Sequence, residues 1–210
     1  MNNTPPNLLR DLRHLVPKRR LTYREARVIA ELQANVLRER LGITTEELPS
    51  EIIEQLPRIN VQHRRGLPVS GLTHWHNGRR LIVLNADEPD VRQHFSLSHE
   101  LWHALDHTST QYTSWDEPGL SGADKAERLA DWFSGCLLMP KHHVKRLWGE
   151  LQDIHAVADR FGVSDRAMSV RLSQLGLLGP TPRCLRPSST WSHFGSRYYR
   201  HRPATRSTAA

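Results

Sequence analysis

Two histidines and a glutamate form a short pattern that is typical of metal-dependent hydrolases. The pattern is His99-Glu100-Leu101-Trp102-His103, in which the histidines stand four residues apart. Residues at this spacing lie on one face of a helix, so both imidazoles can bind one metal ion while Glu100 points beside it. A catalytic zinc site needs at least one more protein ligand and an open fourth position for water. The pattern therefore predicts a zinc hydrolase whose third ligand lies elsewhere in the chain.

The residues around this pattern have helical periodicity. Phe95, Leu97, Leu101, Trp102 and Leu105 place apolar side chains at spacings that fit the sides of one helix. A histidine pair packed in the core is the alternative interpretation, because the chain contains 13 histidines and so short a pattern also arises by chance. The helical context favours the metal site.

A second predicted helix, at residues 124–140, offers the third ligand. Ser121 or Asp124 can cap its start. Glu127 and Asp131 are four residues apart and share a face of this helix. A carboxylate can complete a site of two histidines and one glutamate, so Glu127 is predicted to be a metal ligand. Asp131 is expected to accept the outer N–H of a ligating histidine.

His107, one helical turn beyond His103, is an alternative third ligand. Three histidines on one helix would spread over about 12 Å, so His107 converges poorly with His99, and Glu127 is the preferred ligand. A metzincin would carry its third histidine at position 109, where Ser109 stands, and this arrangement is excluded.

The predicted ligand set determines which steps the other residues must perform. A bound zinc ion would activate a water molecule and stabilise the oxyanion of the scissile carbonyl. Glu100 is expected to take the proton of that water and deliver it to the leaving amine. A further donor to the oxyanion is expected, and the candidates are His107, Tyr112 and His94.

Length and composition favour one main domain that does not associate with membranes. The chain has 210 residues, of which 38% are hydrophobic, enough for one good core. No apolar run is long enough to cross a bilayer, and the start lacks the apolar segment of a signal peptide. The two cysteines, Cys136 and Cys184, fit a reducing compartment. We therefore expect a cytoplasmic protein.

The positive charge is concentrated at the ends of the chain. The formal net charge is +7, but residues 180–210 contain six arginines and no acidic residue. Residues 1–179 therefore carry 23 basic and 22 acidic side chains, a net charge of +1. The basic tail at 180–210 is predicted to be disordered, and the basic arm at 1–20 is expected to be solvated in the same way.

Helix and strand signals alternate between these ends. Thr22 and Glu25 form a capping box, and Gly42 offers a left-handed stop to the helix that follows. Strands are predicted at 59–63, 69–76 and 79–85, with Asn77-Gly78 as a hairpin turn. A small antiparallel sheet results, and its strand beside the active helix is expected to bind an extended peptide. The buried stripe of the capped helix is predicted to be Ile29, Leu32, Val36 and Leu37.

Residues 151–179 have the pattern of a helix-turn-helix. Gly162 provides the turn and Ser164 caps the second helix, which is predicted to bury Ala167, Val170 and Leu175. The residues left to face a DNA groove are Arg166, Ser169, Arg171 and Gln174. An ordinary helical hairpin packed on the catalytic domain fits the same pattern. It is favoured because a net charge of +1 gives little attraction to phosphates.

Two segments together resemble the ImmA/IrrE metallo-endopeptidases. They are residues 95–107, which contain H-E-x-x-H, and residues 127–140, which join E-x-x-A-D to L-L-M-P. The resemblance covers about residues 21 to 178. It implies a compact α+β zinc peptidase of bacteria, phages or mobile elements, which cleaves a helix-turn-helix repressor and so switches on the genes that it silences.

The chain departs from the family pattern at two positions. Trp102 stands where the family often has glycine, and Asp131 where it often has asparagine. Trp102 is expected to change the packing beside the metal and to narrow the cleft. Asp131 still accepts a hydrogen bond, so the site is expected to survive.

The sequence thus predicts an α+β, mainly helical zincin-like peptidase with a small antiparallel sheet, a C-terminal helical hairpin and a disordered basic tail. The expected divisions are a basic arm (1–20), a metallopeptidase domain (21–150), a helical pair (151–179) and the tail (180–210). The expected cofactor is one Zn²⁺ ion, and the expected partner is a helix-turn-helix repressor. The alternative is a DNA-binding regulator that uses residues 151–178, with a structural or vestigial metal site.

Overall fold

The computed structural model describes residues 8–106 and 121–178. Within these ranges eight helices accompany one three-stranded sheet, which confirms the mainly helical α+β class. The elements are α1 (Leu8–His14), α2 (Tyr23–Arg40), α3 (Ser50–Glu54), β1 (Ile59–Arg64), β2 (Gly71–His76), β3 (Arg79–Asn85), α4 (Asp90–Asp106), α5 (Gly122–Leu138), α6 (Lys141–Leu151), α7 (Ile154–Phe161) and α8 (Asp165–Gln174). The predicted disordered tail and most of the loop after α4 lie outside the described residues.

The sheet has the strand order β1-β3-β2 and is mixed rather than antiparallel. β2 and β3 form the predicted hairpin, whose turn residues Asn77 and Gly78 have φ angles of 48° and 73°, as a type I′ turn requires. β1 pairs in parallel with β3, with Ile59 opposite Arg80. The prediction of an antiparallel sheet is therefore wrong for β1. The chain reverses direction between β1 and β2 and again between β2 and β3, so β3 runs in the same direction as β1. β1 therefore pairs in parallel, because its neighbour is β3 rather than β2.

The opening basic segment contains a packed helix. Leu8 and Leu12 of α1 are buried in the core. Arg13 donates hydrogen bonds of 2.9 Å to the carbonyls of Leu105 and Ala104, which lie at the end of α4. The expectation of a solvated arm is therefore wrong for α1, because two leucines one turn apart bury against the domain and Arg13 satisfies carbonyls that a helix end leaves free.

α2 begins at the predicted capping box of Thr22 and Glu25, and Gly42 follows it with a φ of 67°. Its buried face differs from the predicted stripe, since Leu32 is exposed and Ile29 and Val36 are only partly buried. The helix packs instead through a face that includes three alanines, which permit close contact with its neighbour. The buried residues of α2 are Ala26, Ala30, Gln33, Ala34, Leu37 and Arg38.

The apolar faces of α4 and α5 form the centre of the core. α5 packs against both α2 and α4, while β2 and β3 of the sheet pack against α4. The buried apolar residues of α4 and α5 are Leu97, Leu101, Trp102, Ala104, Leu105, Leu129, Ala130, Phe133, Cys136, Leu137 and Leu138. Burial of these side chains fixes how the two helices are rotated, and so fixes where their polar faces meet.

Both ends of α5 are held by side chains. At the start, Ser121 is the cap: its side chain accepts a hydrogen bond from the backbone N–H of Asp124, and the carboxylate of Asp124 accepts one from the backbone N–H of Ser121. Ser121 is therefore the correct one of the two predicted caps. At the other end, Arg38 donates a hydrogen bond to the carbonyl of Leu137 and Arg171 donates one to the carbonyl of Met139. The donor–acceptor distance is 3.0 Å in both. Cations at the carbonyl end of a helix also interact favourably with its dipole.

The C-terminal helices form the predicted hairpin but bury a different face. Val170 is 51% exposed, whereas Arg171 is 1% exposed. The predictions that Val170 is core and that Arg171 faces DNA are therefore wrong, because Arg171 reaches back to the end of α5. Arg166 and Gln174 are exposed, and Ser169 is half-buried with its hydroxyl bonded to the carbonyl of Asp165.

No helix in residues 8–106 and 121–178 combines the length and apolar character needed to cross a bilayer.

The burial of Arg171 gives a prediction about stability. Arg171→Ala should lower the free energy of unfolding by about 2 kcal/mol, because it removes a charge-assisted hydrogen bond and leaves a cavity. Urea denaturation measures this change. Arg166→Ala is the matched control, since Arg166 lies on the same helix and is exposed. Equal effects of the two substitutions would contradict a packing role for Arg171.

Candidate metal centre

The polar faces of α4 and α5 bring two histidines and a glutamate together. His99 Nε2 lies 3.1 Å from His103 Nε2 and 3.1 Å from Glu127 Oε2. His103 Nε2 lies 3.3 Å from Glu127 Oε1. The three side chains thus form a group that could hold a metal ion, with ligand atoms within 4.8 Å of one another. The structure therefore brings together the three residues that the sequence proposes as ligands.

The spacing of these atoms fits a single zinc ion. Ligands at 2.0–2.1 Å in tetrahedral geometry lie about 3.3 Å from one another, which is close to the separations observed here. Two imidazole nitrogens and a carboxylate are also a donor set that zinc accepts in catalytic sites. The histidine rings are partly buried and Glu127 is exposed, so the group faces solvent on one side.

Asp131 orients one of the histidines. Its Oδ1 atom lies 3.0 Å from His99 Nδ1, so the ring can donate there and present Nε2 to Glu127 and His103. Burial lowers the pKa of His99, but hydrogen bonds to Asp131 and Glu127 outweigh this effect and raise the pKa to about 9. Hydrogen bonds to His103, and then to His99, hold the pKa of Glu127 well below its usual range. Without a metal, these residues form a hydrogen-bonded ion-pair network.

Glu100 is held beside this group by strand β2. The side chain is 8% exposed, and its Oε2 atom accepts a 2.7 Å hydrogen bond from the hydroxyl of Thr73. A Cβ atom on Gly71 would lie 3.0 Å from Glu100 Cγ and 3.3 Å from Leu84 Cδ2. Gly71 therefore lets the strand approach the glutamate closely, and Thr73 fixes the direction of the carboxylate.

A cavity of about 390 Å³ lies between Glu100 and two of the candidate ligands, His103 and Glu127. Its lining residues are Gly71, Thr73, Arg80, Glu100, His103 and Glu127. The sequence did not single out Gly71, Thr73 or Arg80. Strand alternation is the signal that selects them, because residues 71, 73 and 75 of β2 share one face with residues 84, 82 and 80 of β3.

The weaker predictions fall outside this centre. The ring of His94 is buried beside the backbone of Leu48 and Gly162, and burial lowers its pKa. His94 does not line the cavity, so its assignment as a transition-state donor stays a prediction without support from the position of the ring. His107 and Tyr112 lie outside the described residues. Trp102 is 4% exposed and packs edge-on against His103, so it supports the ring rather than narrowing the cavity.

Comparison with known families identifies the domain. A family model described as the IrrE N-terminal-like domain, which is classed as a peptidase family, matches residues 38–173. This match covers more than half of the chain. The chain belongs to this family. Membership confirms the resemblance seen in the H-E-x-x-H and E-x-x-A-D segments, and it supports a metallopeptidase-type function for the IrrE-like domain.

The fold of the IrrE-like domain also occurs in a solved structure. That structure is described as a Mycobacterium tuberculosis transcriptional regulator, and the TM-score is 0.53 with 19% sequence identity. The alignment covers 80% of this chain and 51% of the other, so the chain spans about half the length of that regulator. At this identity the likeness shows the fold alone. A comparison with curated proteins gives no match.

The contact between Asp131 and His99 predicts an effect on metal affinity. Asp131→Ala should weaken zinc binding about tenfold to a hundredfold, because the His99 ring loses the acceptor that orients it. Asp131→Asn, which keeps an acceptor oxygen, should cost less. Competition with a chelating dye measures both affinities. Equal affinity of the Asp131→Ala variant and the unchanged protein would contradict the orienting role.

The raised pKa of His99 predicts that zinc binding depends on pH. Below a pH of about 9 the metal-free ring carries a proton, and a ligating histidine must release it. Apparent affinity should therefore rise by about tenfold per pH unit between pH 7 and 8.5, with release of about one proton per ion. Calorimetry in buffers of different ionisation enthalpy measures that proton. An affinity that stays constant over this interval would show that His99 is already neutral.

Proposed function

We propose that the protein is a zinc-dependent endopeptidase. The observation that supports this most directly is the convergence of His99, His103 and Glu127, with Glu100 on the wall of the cavity that His103 and Glu127 also line. A site that only stabilised the fold would be closed by a fourth protein ligand. Among residues 8–106 and 121–178 this site has three ligand candidates, and it has an exposed side. Family membership agrees with the proposal.

Each residue of the site has a separate role in the proposed hydrolysis. His99, His103 and Glu127 would hold the ion, which when bound supplies a Lewis acid that activates water and polarises the scissile carbonyl. Glu100 accepts the proton of the attacking water and returns it to the leaving amine. Thr73 keeps the carboxylate of Glu100 turned toward the cavity, and Asp131 keeps His99 in the ligating tautomer.

The edge of the sheet gives the substrate a place to bind. β2 pairs only with β3 within residues 8–106 and 121–178, so its other edge offers backbone groups beside Glu100. An extended peptide can add there as a further strand. We propose a helix-turn-helix repressor as the substrate, because the ImmA/IrrE resemblance implies one. Cleavage would then release genes of a stress response or mobile element, in the cytoplasm of a bacterium.

Direct DNA binding through residues 151–178 is the less favoured function. Arg171, one of the four proposed contacts, is buried against the end of α5. Only one of the three remaining contacts is positively charged, namely Arg166; the others are Ser169 and Gln174. The first 179 residues carry a net charge of only +1. This surface therefore offers little attraction to a phosphate backbone.

The role of Glu100 predicts a separation of binding from catalysis. Glu100→Gln should reduce repressor cleavage at least about a hundredfold, because the amide cannot accept the proton. The zinc content and the free energy of unfolding should stay unchanged. The assay co-expresses the protein with a helix-turn-helix repressor of the same organism and detects fragments by mass spectrometry. Glu39→Gln, an exposed change on α2, is the control.

Cleavage by the Glu100→Gln variant at the normal rate would exclude Glu100 as the base. If neither protein cleaves the repressor and Arg166→Ala abolishes regulation of the target genes, the DNA-binding function is the better account.

A further inference from the structure

Arg80 is buried beside the proposed catalytic group. Arg80 is 7% exposed, and it lines the same cavity as Glu100, His103 and Glu127. It lies in β3 opposite Trp75 of β2, on the sheet face that also carries Ile82. This face packs against α4.

Arg80 has no acidic partner among residues 8–106 and 121–178. Its Nε atom is buried without a hydrogen-bond partner. The guanidinium carbon lies 4.8 Å from the ring centre of Trp75, so one contact is with an aromatic face. Burial, and then the charge of Arg13, lower the pKa of Arg80. A cation in such a place is normally paired, because removing an unpaired charge from water is unfavourable.

The acids that line the cavity are already engaged. Glu100 accepts from Thr73, and Glu127 contacts His99 and His103. An anion that enters the cavity is therefore the partner that the charge of Arg80 lacks. A guanidinium favours carboxylates, because its planar N–H groups match the two oxygens.

The position of Arg80 indicates which part of a substrate it meets. Thr73, which holds Glu100, precedes Trp75 by two residues, and Trp75 is the register partner of Arg80. Two residues of strand correspond to about 7 Å. Arg80 lies on β3, so β2 stands between it and a peptide added at the free edge of β2. The group that meets Arg80 is therefore a neighbouring side chain or chain end that turns into the shared cavity, rather than the scissile bond itself.

We propose that Arg80 binds a carboxylate of the substrate about two residues from the scissile bond. This inference rests on the proposed peptidase function. The carboxylate belongs either to an Asp or Glu side chain or to the C-terminus of the substrate. Both sources present the same two oxygens, and they differ in whether the cut lies at a fixed distance from the end of the peptide.

Three pools of acetylated hexapeptides test the proposal. Each pool is degenerate in uncharged residues, with central Glu and an amidated end, central Gln and an amidated end, or central Gln and a free carboxylate. Each is captured in the presence of zinc on immobilised Glu100→Gln protein and quantified by mass spectrometry. We expect at least one carboxylate pool to be retained about tenfold better than the neutral pool.

Substitutions then assign the preference to Arg80. Arg80→Gln in the Glu100→Gln background should remove the preference, and Arg80→Lys should keep part of it. Arg79→Gln is the matched control, because Arg79 is the adjacent arginine and is exposed. Retention of the central-Glu pool identifies a side-chain site, and retention of the free-carboxylate pool identifies a terminal one.

Equal capture of the three pools by protein with Arg80 intact would overturn the proposal, whether or not the Arg80 variants fold. An equal loss of preference in Arg79→Gln would also overturn it. Incubating the pools with protein that keeps Glu100 tests the peptidase function separately. A carboxylate preference without any cleavage would support the Arg80 site and contradict the proposed hydrolysis.

Discussion

The contact between α4 and α5 is the constraint on which the site depends. Each helix carries a pair of functional residues four positions apart, His99 with His103 and Glu127 with Asp131. The pairs meet only because apolar side chains on the inner faces of the helices set their rotation and separation. A turn of either helix by one residue would move its ligands by about 100°. The hydrophobic core thus determines the spacing of the polar atoms. Burial of its apolar side chains also offsets the unfavourable free energy of bringing charged groups together.

The fold reinforces that contact from outside the site. Arg13 satisfies carbonyls at the end of α4, while Arg38 and Arg171 do the same for α5. The sheet adds the remaining wall, where Thr73 directs Glu100 and Arg80 places a cation in the same cavity. The candidate metal ligands, the proposed base and the proposed substrate surface therefore come from α4, α5 and the sheet, which share one core.

The parts of the site that follow from sequence are those set by local geometry. Four-residue spacing places His99 with His103, and Glu127 with Asp131, without knowledge of the rest of the fold. The capping box at Thr22 and the turn at Asn77-Gly78 are equally local, and the structure has both. The features that could not be predicted depend on distant contacts. β1 lies beside β3 rather than β2, and Arg171 is buried because a carbonyl 32 residues earlier needs a donor.

X-ray absorption at the zinc K-edge, on protein loaded with one equivalent of zinc, tests the central claim most directly. The account predicts a first shell of nitrogen and oxygen at about 2.0–2.1 Å, with multiple-scattering features of two imidazoles. Glu127→Ala should weaken binding and change the oxygen component while both imidazoles stay. A shell that contains sulfur, or one that lacks imidazole, would contradict the proposed ligand set.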